Sequence, residues 1–522
     1  MNLQERKPLV LAILDGWGEA PKSRANAISL AKTPFVDRAR EKFPFTLLEA
    51  TGKAVGLNKN QLSGSEAGHI NIGGGRVVFQ DCYKIDQEIK KGNFFTNPAL
   101  IEAVRNCRIK GRRFHLMGLM STTDSQHSSP QHFRMILRLA KKNGIKEVYC
   151  HLFTDGRDSY PQSALLLLKE FRLIIKEEGI GKIATLSGRF WAMDRAKNWD
   201  RLQEAYEAIV FSKGERADSA EEAIEQSYRK NILDEKLVPT VIFEKNKPVA
   251  RLEEEDSIVF FNFRSDRARQ FTKLFVEVSE EIKKNDKLPK LKKIKGINFT
   301  TLGDFGPDID VAVAFVDSPL KNSLPQALAE KKQFYIAEGE KYAHITYFFN
   351  GGYADSVAGE DRLLVPSMKI ESYAEAPEMR AEKITNYVLG KIRNSEYDFY
   401  AINYANADMV GHTGNIGATV KAVEYVDKKL ASLWEELQKR KGTLIITADH
   451  GNADNMIDIL DGKEIPNTFH TKNKVGFSVL NEGLNKKELK IGGKLGNIAP
   501  TILEIMEVKK PSEMKCDSLF NG

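Results

Sequence analysis

Short apolar runs alternate with longer stretches of helical periodicity along this chain. The runs cover residues 9–14, 114–118, 148–153, 183–186, 258–263, 345–349, 398–404 and 444–447. Their hydrophobicity is continuous instead of alternating, which predicts strands covered on both faces, as in parallel sheets. The clearest helical pattern spans residues 416–437, with apolar side chains at 416, 420, 423, 426, 430, 433 and 437. A one-faced stripe of this period is read as packing against a core. Strands alternating with helices predict an α/β fold. Gly73-Gly-Gly75 and the stretch Gly303-Asp-Phe-Gly-Pro307, with the residues just after Phe315, are candidate joins between domains.

Composition narrows the class. At 522 residues the chain is long enough for two to four domains, and 42% hydrophobic with 29% charged residues is ordinary for a folded protein. The net charge of +7 is local: residues 283–295 hold seven lysines against one aspartate, so the remainder is nearly neutral. This segment is read as a solvated surface. With no aromatic interleaving or nucleic-acid motif, a nucleic-acid partner is not expected. Cys82, Cys107, Cys150 and Cys516 form no CxxC pair, which argues against a thiolate metal site and suits a reducing cytoplasm. No apolar run approaches the length of a membrane span or has the form of a secretory leader.

The candidate chemistry sits at strand ends. Asp15 follows the run 9–14, Asp408 and His412 follow the run ending near Tyr404, and Asp449-His450 follows 444–447. Ligands in open α/β sheets gather at the carboxyl ends of strands. Carboxylate plus imidazole without thiolate suits Mn²⁺, Zn²⁺ or Mg²⁺. With His470 from a polar loop, the set is sufficient for two metal centres, a recurring arrangement for phosphoryl transfer. In Ser63-Gly-Ser-Glu-Ala-Gly-His-Ile-Asn-Ile-Gly-Gly-Gly-Arg76, small residues flank Ser65 and leave its hydroxyl unhindered beside an ion or at a helix N-terminus. Arginines follow other apolar runs in Asp155-Gly-Arg157-Asp158, Ser187-Gly-Arg189, Met193-Asp-Arg195 and Asn262-Phe-Arg264-Ser-Asp-Arg267. Convergent guanidinium groups suit a small polyanion such as a phosphorylated organic acid.

These segments, in this order, closely resemble the cofactor-independent phosphoglycerate mutases of the alkaline phosphatase superfamily. The likeness runs through LDGWG, GSEAGHINIGGGR, HLMGLMS, DGRDS, SGRFWAMDR, FFNFRSDRARQ, EGEKYAHITYFFNGG, NYANADMVGHTG, TADHGNAD and HTKNKV, over nearly the whole chain. It implies two α/β domains: a discontinuous phosphatase-like domain at 1–77 and 315–522, a sheet with helices on both faces, and an inserted phosphotransferase domain at 78–314. It also implies interconversion of 3-phosphoglycerate and 2-phosphoglycerate in glycolysis and gluconeogenesis, without added bisphosphoglycerate. Ser65 matches the nucleophile that becomes phosphoserine and ligates one metal ion with Asp15, Asp449 and His450. Asp408, His412 and His470 match ligands of a second ion, and the family usually uses Mn²⁺. His127, Arg157, Asp158, Arg189, Arg195, Arg264, Arg267 and Lys341 match substrate-binding positions. Ser65, Asp158 and Lys341 are the expected catalytic groups, with Arg157 expected to hold Asp158 in its base form.

Gly64 stands where the family has Asn, and Ser121-Thr-Thr-Asp-Ser-Gln-His127 departs from the usual glycine-containing form. Closure of two domains is expected to exclude water. A cytoplasmic monomer with a small-molecule substrate is expected, with no membrane or nucleic-acid partner. The alternative is a metal-dependent phosphomonoesterase or phosphopentomutase-like enzyme on the same scaffold.

Overall fold

The computed structural model describes residues 7–59, 61–289, 291, 293–306, 308–316, 318–460 and 462–521. Pro307, in one candidate join, and Lys290 and Lys292, in the lysine-rich segment, lie outside the described residues. The chain divides into two compact units, Met1–Gln80 with Ser318–Gly522, and Asp81–Asp317. Each is a nine-stranded sheet with its helices, so the α/β expectation holds for both.

In the first unit the strand order is Asp361–Val365, Gln333–Glu338, Phe399–Tyr404, Leu9–Leu14, Thr443–Thr447, Lys474–Leu480, Phe45–Glu49 and Gly493–Lys494, with Gly18–Glu19 paired to Lys474–Leu480. The first five run parallel. Leu9–Leu14 lies at the centre and every residue of it is buried, which is why it reads as an unbroken apolar run. Its neighbours on either side are Phe399–Tyr404 and Thr443–Thr447, so the carboxyl ends of these three parallel strands lie side by side, where open α/β sheets bind ligands. The predicted helix is found as Ile416–Lys439, and Val423, Val426, Leu430, Leu433 and Leu437 of its stripe are buried.

In the second unit the order is Ala312–Val313, Asn298–Thr301, Ser257–Phe260, Phe114–Leu119, Val148–Thr154, Lys182–Gly188, Thr240–Glu244 and Glu215–Ala217, with Lys247–Pro248 paired to Thr240–Glu244. Two large hydrophobic clusters form most of its core, with a small one around Tyr149, Ala184 and Ala250. One large cluster gathers around Phe133, Phe171 and Phe261, the other around Tyr206, Phe271 and Phe275. All four cysteines are buried and unbridged. Among the described residues no helix is long and apolar enough to cross a membrane.

One expected strand is wrong. Residues 345–348 are helical, within His344–Phe348, with Phe349 in the turn that follows, and the strand of this region is Gln333–Glu338. Ile345, Thr346, Phe349 and Asn350 are buried while Tyr347 is 41% exposed, a helical pattern of burial. Aromatic side chains on the outer face make the run look continuously apolar. Gly73 and Gly74 end the helix Ser65–Gly74 instead of forming a linker.

Candidate active site

Four parallel strands of the first unit deliver polar groups at their carboxyl ends. Asp15 follows Leu9–Leu14, Asp408 lies just beyond Phe399–Tyr404, Asp449-His450 follows Thr443–Thr447, and Lys341 follows Gln333–Glu338. Gly16 has φ +75°, and a Cβ there would come within 2.8 Å of the Asp408 backbone nitrogen, so only glycine lets the turn after Asp15 close on Asp408. Asp408 and His412 are one helical turn apart, which places both on one face. Ser65 is the first residue of the helix Ser65–Gly74, whose N-terminal dipole favours negative charge at its hydroxyl. Gly64 before it has extended backbone and caps the helix with no side-chain bond.

These residues converge. Lys341 Nζ donates to Asp15 Oδ1 at 2.7 Å, Ser65 Oγ at 2.8 Å and Asp408 Oδ2 at 2.6 Å. Ser65 Oγ lies 3.1 Å from both Asp15 Oδ1 and His450 Nε2, and His450 Nε2 lies 3.4 Å from Asp15 Oδ1 and 3.5 Å from Asp449 Oδ2. Beside this group, His412 Nε2, His470 Nε2 and Asp408 Oδ1 are mutually 3.2, 3.2 and 3.4 Å apart.

The donor set fits divalent metal. For ligand bonds of about 2.0–2.2 Å, a tetrahedral ligand shell has edges of roughly 3.3–3.6 Å, near the separations within each group. The outer nitrogens of His412 and His470 donate to the carbonyls of Thr468 and Ser63 at 2.7 Å each, which turns both Nε2 lone pairs inward. Asp449 Oδ2 is buried without a hydrogen-bond partner. The sets Asp408, His450, His470 and Asp15, His69, Asp449 each bring their donor atoms within 4.8 Å of one another.

The electrostatics agree. Burial alone would lower the His450 ring, but the carboxylates of Asp449, Asp15 and Asp408 raise it to about 9. Burial would likewise lower Lys341, yet Asp15, Asp408 and Asp449 hold it well above the ordinary lysine value. The cluster has an excess of negative charge that calls for cations. His470, by contrast, is lowered to about 4 by burial and by the neighbouring His450.

The second unit gathers the arginines in the same way, from loops after adjacent parallel strands. Arg189 donates through Nη1 to Asp155 Oδ1 at 2.5 Å and Asp158 Oδ2 at 2.6 Å, and its Nη2 is 3.3 Å from His127 Nε2. Asp266 is ion-paired with Arg264 at 3.0 Å and with Arg195 at 3.3 Å. Burial would raise Asp158, but Arg189 and then His127 hold it well below the usual carboxylate range. Arg157 is not the group responsible: it is 52% exposed and 3.5 Å from Glu235. Burial and the nearby cations Arg189, Arg195 and Arg157 push Arg267 down to about 9. Guanidinium groups crowded to that degree call for an anion.

Thus Asp15, Ser65, Lys341, Asp408, His412, Asp449, His450 and His470 lie together in the first unit, and His127, Arg157, Asp158, Arg189, Arg195, Arg264 and Arg267 surround one another in the second. Asp155 and Asp266, which hold the arginines, are visible in the sequence only as neighbours of arginine. His69 and Asn403 touch the serine group and carry no separate sequence signal beyond the spacing Ser65-x-x-x-His69 on a helix.

A family profile described as "BPG-independent PGAM N-terminus" matches residues 85–306. One described as "Type I phosphodiesterase / nucleotide pyrophosphatase" matches residues 316–514. The 2,3-bisphosphoglycerate-independent phosphoglycerate mutase of Clostridioides difficile (strain 630) is 45% identical over 520 residues, covering 99% of each chain. The 2,3-bisphosphoglycerate-independent phosphoglycerate mutase 1 of Methanosarcina barkeri is 44% identical over 521 residues with the same coverage. A crystal structure of Leishmania mexicana phosphoglycerate mutase at low cobalt concentration superposes with a TM-score of 0.86 at 27% identity, over 100% of this chain and 99% of that one.

Proposed function

The chain belongs to the 2,3-bisphosphoglycerate-independent phosphoglycerate mutases, isomerases that interconvert 3-phosphoglycerate and 2-phosphoglycerate, and from that premise we propose how its residues divide the work. Ser65 takes the phosphoryl group. The Oγ–P bond forms as the P–O bond to glycerate breaks, and in the second half the other glycerate hydroxyl displaces Ser65 from phosphorus. Asp15, Ser65, Asp449 and His450 would hold one divalent ion, and Asp408, His412 and His470 a second, with Mn²⁺ the expected metal. Bound there, the ions would supply charge neutralisation to the phosphoryl group in transfer. Lys341 adds a fixed cation, and the helix N-terminus under Ser65 adds a favourable dipole.

Glycerate must stay bound between the two halves. The guanidinium groups of the second unit supply carboxylate recognition. The proton that the departing glycerate oxygen takes in the first half is returned by the attacking hydroxyl in the second. Asp158, kept ionised by Arg189 and His127, is the group assigned to that exchange: as base it takes the proton of the attacking hydroxyl in the second half, while the proton taken by the departing oxygen in the first half balances the one Ser65 gives up on attack. A cytoplasmic location and a monomeric state complete this reading.

The approach of Lys341, Asp15 and His450 to within about 3 Å of the Ser65 hydroxyl carries the proposal. The test is a stopped reaction of Mn²⁺-loaded protein with 3-phosphoglycerate and no bisphosphoglycerate, quantifying 2-phosphoglycerate and free phosphate against a chelated control. Chelator-sensitive 2-phosphoglycerate with little phosphate is expected. Ser65→Ala should abolish isomerisation while the circular dichroism spectrum is kept, and substantial residual turnover would remove Ser65 from this role. Free phosphate without the isomer would mean a phosphomonoesterase.

A further inference from the structure

His69 lies one helical turn after Ser65 and is fully buried, as are Asn403, Asp15 and Asp449. Its surroundings determine which ring nitrogen bears the hydrogen. The Asp15 carboxylate is ion-paired with the buried Lys341 ammonium, whose Nζ lies 2.7 Å from Oδ1, so it accepts hydrogen bonds and does not donate. Asn403 must then turn its amide nitrogen, not its oxygen, toward Asp15 Oδ2, at 2.8 Å. The same nitrogen lies 3.0 Å from His69 Nε2. An amide nitrogen only donates, so Nε2 accepts and bears no hydrogen. The hydrogen is on Nδ1, 2.8 Å from the carbonyl oxygen of Ser65. Asp449 Oδ2 lies 3.2 Å from that Nδ1. Gly68 lets this turn of helix approach, since a Cβ there would stand 2.6 Å from the Asp449 Cβ.

We propose that His69, as the Nδ1–H tautomer, and Asn403 are positioning residues that tie the carbonyl of Ser65 to the Asp15 carboxylate. One chain of donors runs from Asn403 to Asp15 and His69, and from His69 to Ser65. It orients one carboxylate of the serine group and the first turn of the helix that carries the nucleophile. His69 belongs to a set of donors close enough to bind an ion with Asp15 and Asp449. Its one free lone pair, on Nε2, is engaged by Asn403, so it serves the site from behind instead of as a ligand. Groups that orient metal ligands in this way typically change affinity or activity about 10- to 100-fold when removed.

The inference rests on the metal and nucleophile assignment above, and its test is separable from it. Selective ¹⁵N-histidine labelling of the metal-free protein reads the tautomer directly, with the His69 signal identified by its loss in His69→Gln or through coupling to its own backbone. A protonated Nδ1 and bare Nε2 are expected, and a proton on Nε2 overturns the proposal without any variant having to fold. Mn²⁺ titration of His69→Leu should show affinity weakened about 10- to 100-fold. His69→Asn, whose amide can still donate to the Ser65 carbonyl, should recover part of that loss. In the variants kcat should fall and KM for phosphoglycerate stay within about twofold, because the arginines are untouched. Mn²⁺ affinity and kcat unchanged in His69→Leu would overturn the proposal. Failure of the unaltered protein to make 2-phosphoglycerate, with the tautomer and Mn²⁺ affinity as expected, would defeat the functional reading alone.

Discussion

Lys341 is a buried ammonium bonded to two buried carboxylates, Asp15 and Asp408. Removing one partner of such a set leaves uncompensated charge and typically costs about 3–5 kcal/mol. Lys341→Met should therefore lower the melting temperature sharply in chelator, and Mn²⁺ should restore much of the loss by neutralising the same carboxylates. Thermal denaturation with and without metal checks this, and a loss that Mn²⁺ does not reduce would separate Lys341 from the metal-binding carboxylates. Asp15, Asp408, His412, Asp449 and His450 were legible in the sequence because they follow apolar runs, Ser65 and His470 through their loop settings, and Lys341 only through the resemblance. His69 and Asn403 were not. Their meaning lies in which atom faces which across a helix and a strand that are more than 300 residues apart, as Asn403 and His69 are.

At the scale of elements, three neighbouring strands of the second unit carry a buried chain of polar side chains. His115 in Phe114–Leu119, His151 in Val148–Thr154 and Thr185 in Lys182–Gly188 are bonded in sequence, and His115 Nε2 lies 3.3 Å from Asp256 Oδ2. Donors run one way if both rings are neutral: Thr185 to His151, His151 to His115, His115 to Asp256. Burial lowers His115 despite Asp256, and burial plus the neighbouring His115 lowers His151 further. Both rings thus hold fewer protons folded than unfolded below about pH 6.5, the ordinary histidine value. Stability should be intact above that pH and fall as the pH drops through it. Urea unfolding followed by probes in Asp81–Asp317 should show the midpoint falling between pH 7 and pH 5, and His151→Gln should flatten the slope. An unchanged slope in that variant would move the effect to other groups. Such a chain is invisible in strand sequences, because a histidine among apolar residues reads the same whether or not its neighbours are polar. The run at 345–349 misleads for a related reason: apolar composition does not say which face of a segment is covered.

For the molecule as a whole, metal is expected to act on one unit. An ion that binds only the native form adds about 2.7 kcal/mol at a hundred times its dissociation constant. Hydrogen exchange should then slow around Ser65, Asp408–His412, Asp449-His450 and His470 on adding Mn²⁺, and leave the strands of His115 and His151 unchanged. Ligands must be ionised carboxylate and unprotonated imidazole, so affinity should fall on acidification. With His450 raised to about 9 before metal arrives, each binding event should release protons near neutral pH, which calorimetry in buffers of different ionisation enthalpy measures. Protection spread evenly over both units would contradict the placement of the ligands.

Hydrophobic period and strand-end chemistry are local properties, and they were enough to read an α/β chain and to single out a candidate hydroxyl nucleophile, candidate carboxylate and imidazole ligands and a set of arginines suited to an anion. The same information carried the resemblance to the mutases. Tertiary structure decided what depends on distance and direction: that Arg189 and not Arg157 holds Asp158 ionised, that the Nε2 atoms of His412 and His470 face one another across 3.2 Å, and that His69 has its hydrogen on Nδ1. The physical reason is that pKa values, lone-pair directions and tautomers are set by neighbours within a few ångströms, and those neighbours come from strands far apart along the chain.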